Sequence, residues 1–159
     1  MAFLHILYRK YDSARIILSK IIEQNPYFSE GYRYMGLTYL YEGNYLESLD
    51  YFNKASKISQ GKGSSLYYLL CSQAASGNSD EAFFTLEENI KNTPKWVYPT
   101  RKAMVYAYFN DMDNAFHWLE VAYEERDYWL ISLKLSPDWD KFRGDPRLND
   151  MLNLMNIPN

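Results

Sequence analysis

The chain of 159 residues contains a single cysteine, no run of lysine or arginine, and no long apolar stretch. One cysteine, Cys71, excludes an internal disulfide. Without a basic run, the electrostatic footprint of a nucleic-acid-binding protein is missing, so we expect no direct nucleic-acid partner. No apolar stretch approaches the about 18 residues that span a bilayer. Charges also interrupt the N-terminal segment MAFLHILYRKYD, where an export signal needs an apolar core. We therefore expect a cytoplasmic protein that does not insert into membranes.

Glycine and proline are also scarce, with 7 and 6 residues, whereas aromatic residues make up 18% of the chain and include 16 tyrosines. A disordered or low-complexity chain would be poor in aromatic residues, so this composition excludes that class. The net charge of −3 and the 47% hydrophobic content are ordinary for a globular protein. The length is enough for one domain with a sizeable buried core.

Residue patterns of catalysis and metal binding are missing as well. His5 and His117 are far apart and lack spaced cysteine or carboxylate partners, and Cys71 has no identifiable histidine partner. The segment NDMDNA, residues 110–115, hints at a calcium loop but lacks the glycine and the closing glutamate of one, so we interpret it as a turn. We expect no enzyme activity, no metal ion and no cofactor.

One short motif recurs with a period of 34 residues, and its last copy comes one residue early. The copies are RKYDSA at 9–14, GNYLES at 43–48, GNSDEA at 77–82 and NDMDNA at 110–115. Pro26 and Pro94 each follow a copy by twelve residues. Between these marks, apolar residues repeat with the helical period of about 3.6 residues on either side of a turn, which predicts a series of helical hairpins.

This pattern resembles the tetratricopeptide repeat family, whose motif W-x2-L-G-x2-Y…A-x3-F…P extends over about 34 residues. Residues 29–62 match best, at Tyr32, Met35, Gly36, Tyr39, Ser48, Phe52 and Ala55. Residues 63–95 and 96–129 keep part of the motif, and residues 1–28 hold only the second half of a repeat. The resemblance implies an all-α fold in one domain, a right-handed superhelical solenoid of antiparallel helix pairs.

Small residues stand where the two helices of a hairpin would cross closely. Gly36 is the clearest case, because a glycine inside a helix costs about 1 kcal/mol relative to alanine and needs a packing reason. We expect close approach of the partner helix to supply that reason. The other small residues at such positions are Ser48, Ala82, Ala103 and Ala115.

The chain after Ala122 looks like the segment that closes many bacterial tetratricopeptide proteins, in which Arg-Asp, Trp-Leu, Asp-Pro-Arg and a final leucine-rich helix recur, and residues 130–159 follow the last repeat. We expect this segment to cap the last hairpin with a final helix, since terminal repeats need a cover. In the similar bacterial proteins the array is often attached to signalling modules such as winged-helix regulators, cyclases or kinases. Because the first repeat is incomplete, we expect the sequence to be a fragment of a larger chain.

The repeat register sorts the tyrosines into two groups. Tyr11, Tyr32, Tyr39, Tyr45 and Tyr106 fall at positions that pack between helices, so we expect them in the core. By the geometry of the family, other positions would line a concave groove that docks a partner: Arg33, Tyr34, Leu37, Tyr41, Tyr67, Tyr68, Cys71, Arg101, Met104 and Tyr108. The alternative is that the C-terminal segment folds back and covers part of this groove.

The family's carboxylate clamp for acidic C-terminal tails is poorly matched. Arg33 and Arg101 fit it, but Leu37, Tyr68 and Val97 replace the two asparagines and the lysine that the clamp needs. The resemblance therefore implies a non-catalytic scaffold that docks an apolar or aromatic peptide or helix.

A second hypothesis is a regulatory segment of a larger bacterial signalling or transcription-regulating protein, which mainly mediates self-association. The incomplete first repeat would leave an N-terminal face poorly covered, and an exposed apolar face of that size favours a homo-oligomer. We expect this face to include Phe3, Ile6, Leu7 and the apolar residues from Ile16 to Ile22.

Overall fold

The computed structural model describes residues 1–60, 64–92 and 98–156. Within these ranges all regular secondary structure is helical, which confirms the all-α prediction. No helix in the described ranges has both the length and the apolar character that crossing a membrane would require. The expected repeat boundaries at 62/63 and 95/96 lie outside the described residues, as do Pro94 and Val97.

The helices follow one another along the chain with short connections. Their bounds are α1 Ala2–Leu7, α2 Tyr11–Gln24, α3 Ser29–Glu42, α4 Tyr45–Ser59, α5 Ser65–Ala75, α6 Ser79–Asn92, α7 Pro99–Tyr108, α8 Met112–Glu124, two 3-10 helices at Tyr128–Ser132 and Pro137–Phe142, and α9 Arg147–Leu154. The sequence range 29–62 thus contains α3 and α4, the range 63–95 contains α5 and α6, and the range 96–129 contains α7 and α8.

The chain divides into two compact units, Met1–Phe83 (unit 1) and Phe84–Asn159 (unit 2), and each is described by itself. In unit 1, consecutive helices from α1 to α5 pack against one another. In unit 2, α7 packs against α8 and against the second 3-10 helix, and α8 contacts the first 3-10 helix.

The same turn connects the two helices of each hairpin. One residue of the turn has a positive φ, and the next residue donates its backbone N–H to the carbonyl five positions earlier, a pattern that satisfies the open carbonyls at a helix end. The positive-φ residues are Arg9 (56°), Gly43 (82°), Gly77 (100°) and Asn110 (60°). The N–H to carbonyl pairs are Lys10 to His5 at 2.8 Å, Asn44 to Tyr39 at 2.9 Å, Asn78 to Gln73 at 2.9 Å and Asp111 to Tyr106 at 3.1 Å.

The small residues expected at close crossings are buried. Ser48, Ala82, Ala103 and Ala115 have no exposed surface. At Gly36, a Cβ atom would lie 2.8 to 3.0 Å from three ring atoms of Phe52 on α4. The prediction that α4 approaches α3 closely at Gly36 is therefore confirmed.

The N-terminal face of unit 1 is covered more fully than its sequence suggested. Ile6 on α1 and Leu18 on α2 are each about 1% exposed and share a cluster with Met35 of α3. The prediction that Ile6 would be poorly covered is wrong, because the short helix α1 folds onto α2 and contacts α3. Phe3 and Ile16 do remain exposed, by 46% and 62%.

In unit 2 the segment after α8 contributes its own large side chains to the core. Trp139, Phe142 and Leu133 are at most 2% exposed, and the ring of Phe142 lies 5.3 Å from that of Phe116 on α8. At the start of α9, the guanidinium of Arg147 donates hydrogen bonds to Asp145 at 2.7 Å and to Asp113 at 2.8 Å. These residues of the segment therefore form part of the packed interior of unit 2.

Candidate functional site

The ten residues expected to line a groove lie on three helices in two units. Arg33, Tyr34, Leu37 and Tyr41 are on α3, Tyr67, Tyr68 and Cys71 are on α5, and Arg101, Met104 and Tyr108 are on α7. Only Tyr34 and Tyr41 keep partly exposed side chains, and the other eight are buried.

Tyr34 and Tyr41 form the accessible part of the site on α3. They are seven residues apart, so they lie two turns apart on one helix face, with the buried Leu37 between them. The ring of Tyr34 lies 5.7 Å from that of Phe3, and the ring of Tyr41 lies 6.2 Å from that of Tyr11. We call Phe3, Tyr11, Tyr34 and Tyr41 the aromatic row. It joins α1, α2 and α3 within unit 1.

A buried arginine supports the first turn of α3. The guanidinium of Arg33 lies 4.2 Å from the centre of the Tyr34 ring and donates a hydrogen bond from Nε to the Glu30 carboxylate at 3.0 Å. Burial is the largest single influence and lowers the pKa of Arg33, but hydrogen bonding to Glu30 and charge interactions with Tyr68, Glu30 and Tyr34 together raise it, so the guanidinium stays charged. Because Arg33 is only 9% exposed and already hydrogen-bonded to Glu30, its side chain supports the Tyr34 ring and is not available to a partner.

A second arginine links α2 to the end of α3. Arg15 donates hydrogen bonds to Asp12 on its own helix and to Glu42 on α3, both at 2.5 Å. Hydrogen bonding to Glu42 raises the pKa of Arg15. This ion pair connects the two helices next to the pair formed by Tyr11 and Tyr41.

The expected groove residues of α5 belong to the core of unit 1. Tyr68 is 3% exposed and stacks on Phe52 at 5.6 Å between ring centres, while Cys71 has no exposed surface. Ser72 lies one turn after Tyr68 on α5. Its hydroxyl accepts a hydrogen bond from the Ser48 hydroxyl at 2.7 Å, which joins α5 to α4. Tyr67 is 8% exposed, so these side chains stabilise the packing of α5.

The expected groove residues of α7 are covered by the C-terminal segment of unit 2. The guanidinium of Arg101 lies 4.5 Å from the centre of the Trp129 ring and 3.9 Å from a carboxylate oxygen of Asp138. The ammonium of Lys141 lies 5.0 Å from the centre of the Tyr108 ring. Met104 is 1% exposed. For α7, therefore, the alternative hypothesis holds: the C-terminal segment folds back and covers the residues expected to line the groove.

Asp127 is a structural residue that the sequence pattern did not single out. Its buried carboxylate accepts hydrogen bonds from the backbone N–H and the hydroxyl of Thr100, at 3.1 and 2.6 Å, and from the N–H of Trp129 at 3.1 Å. It therefore caps both the start of α7 and the start of the first 3-10 helix. The sequence signal that could have indicated this cap is an aspartate directly before a helical segment, at the position where the tetratricopeptide motif has proline.

The expected core tyrosines are less buried than the register suggested. Tyr106 is 8% exposed, whereas Tyr11, Tyr32, Tyr39 and Tyr45 are only half-buried. Of these four, Tyr11 and Tyr39 pack against the core cluster from its edge, so they contact the core without being enclosed by it. Tyr39 shows the reason, because its ring stacks on Tyr51 at 5.4 Å and lies under Arg15 at 4.9 Å, at the surface between helices. Burial raises the pKa of the Tyr39 hydroxyl.

The described residues form no cluster suited to a metal ion. In that part of the chain no three histidine, cysteine or acidic side chains come together in a way that could hold a metal ion. The carboxylate of Asp111 accepts a hydrogen bond from the N–H of Asn114 at 3.1 Å and caps α8. Of the segment NDMDNA only Asn110 and Asp111 belong to the turn, and the other four residues begin α8.

Comparisons of the chain with protein-family models, with curated proteins and with solved structures found no match.

Proposed function

We propose that this chain is a non-catalytic protein-interaction scaffold that docks a peptide or helix of a partner protein against the aromatic row. The observation that carries the proposal is the partial exposure of Tyr34 and Tyr41, two turns apart on one face of α3. Tyrosine suits such a role because it offers a large contact area and a polar hydroxyl while losing little conformational entropy on binding.

The buried candidates have a supporting role in this proposal. Arg33 contacts the Tyr34 ring and Tyr68 packs α5 against Phe52 of α4, while Leu37 and Cys71 are buried. Since both arginines of the poorly matched clamp, Arg33 and Arg101, are buried and paired with carboxylates, the partner contacts the row through apolar or aromatic side chains.

We also propose that the hairpins form a right-handed superhelical solenoid of the tetratricopeptide type. The support is the recurrence of one turn geometry at the period of the sequence motif, at Lys10, Asn44, Asn78 and Asp111. Arrays of such hairpins expose extended surfaces to partners, which agrees with a scaffold function.

The test is a capture experiment from the native organism with wild type, the double variant Tyr34→Ala/Tyr41→Ala and the control Tyr39→Ala. The double variant should lose a partner that wild type and Tyr39→Ala both retain. Thermal unfolding of all three accompanies the capture, because Tyr39 stacks on Tyr51 and the rings of Tyr34 and Tyr41 also pair with Phe3 and Tyr11. Loss of the partner supports the aromatic row only if the double variant is still folded at the temperature of the capture. Retention of every partner by the double variant would remove the aromatic row from the proposal.

A second candidate function is self-association through the N-terminal face. The observation that favours it is a group of large exposed apolar residues at the start of the chain, namely Met1 (88%) before α1, Leu4 (51%) on α1, Tyr8 (75%) in the turn after it and Ile16 (62%) on α2. Exposed apolar groups of this kind usually mark contact surfaces.

Ile16→Asp tests the second candidate more cleanly than a change at Ile17, which is half-buried and packs on the α1–α3 core. We expect wild type to associate with rising concentration in sedimentation experiments, and Ile16→Asp to shift it toward the monomer. Leu46→Asp is the matched control, since Leu46 on α4 is 72% exposed and lies outside this face. A wild-type monomer at high concentration would exclude this candidate.

A further inference from the structure

We draw no further inference here: the strongest candidate, the exposed apolar strip that Tyr128, Ile131 and Leu135 form on the first 3-10 helix and the turn after it, carries none because nothing in the structure shows what covers it.

Discussion

At the scale of single residues, Gly36 determines how closely α3 and α4 approach. A methyl group there would lie 2.8 to 3.0 Å from the Phe52 ring, closer than carbon atoms normally pack. We expect Gly36→Ala to lower the free energy of unfolding by about 1–2 kcal/mol, because overpacking costs more than the helix propensity that alanine adds. Urea denaturation followed by circular dichroism measures this difference.

The control for this prediction is Gly144→Ala, since nothing lies within 4 Å of a Cβ built at that position. Phe52→Leu combined with Gly36→Ala should cost less than the two single changes added together, because a smaller side chain relieves the clash. If Gly36→Ala is as stable as wild type, or if the two changes are simply additive, the close approach is not what requires glycine.

Asp127 supports the second residue-scale prediction. Replacing it with alanine removes the acceptor for three donors, two from Thr100 and one from Trp129. We expect Asp127→Ala to lower the free energy of unfolding by about 2–3 kcal/mol, since buried donors would lose their partner. Asp50→Ala on α4, an exposed position, should stay within about 0.5 kcal/mol of wild type. Equal stabilities for the two variants in urea denaturation would contradict the capping role.

The packing of individual residues could be predicted from the sequence only in part. Gly36 was predictable because glycine inside a helical pattern needs a specific reason. The burial of Tyr68 and Arg101 was not, since it depends on Phe52 and on the C-terminal residues Trp129 and Asp138, which are far from them along the chain. A register assigns a residue to a helix face, but the segment that covers that face decides its exposure.

At the scale of the elements, the turn inside each hairpin is the feature that recurs. Gly77 has a φ of 100°, which strains any other residue even though there is open space around its would-be Cβ. We expect Gly77→Ala to lower the free energy of unfolding by about 1 kcal/mol. Arg9 adopts the same turn with a φ of 56°, so Arg9→Gly should change stability less and in the favourable direction. Thermal unfolding of the two variants measures whether each change lowers or raises the stability.

If Gly77→Ala and Arg9→Gly shift the midpoint of thermal unfolding in the same direction, the left-handed conformation is not a shared requirement of the turns.

The hairpins themselves were predictable from the sequence, because motif spacing, turn residues and apolar period agree along the chain. The 3-10 helices were not, since Tyr128–Ser132 and Pro137–Phe142 are short and owe their positions to burial of Leu133, Trp139 and Phe142.

At the scale of the whole molecule, the central proposal is that the chain binds a partner through the aromatic row. The most direct measurement is the dissociation constant between the purified captured partner and three proteins: wild type, Tyr34→Ala/Tyr41→Ala and Tyr39→Ala. Truncating an interface tyrosine often costs 1 kcal/mol or more, so we predict roughly 10- to 100-fold weaker binding for the double variant. Tyr39→Ala should bind about as well as wild type while melting lower. Unchanged affinity of the folded double variant, or an equal loss of affinity in Tyr39→Ala, would contradict the account.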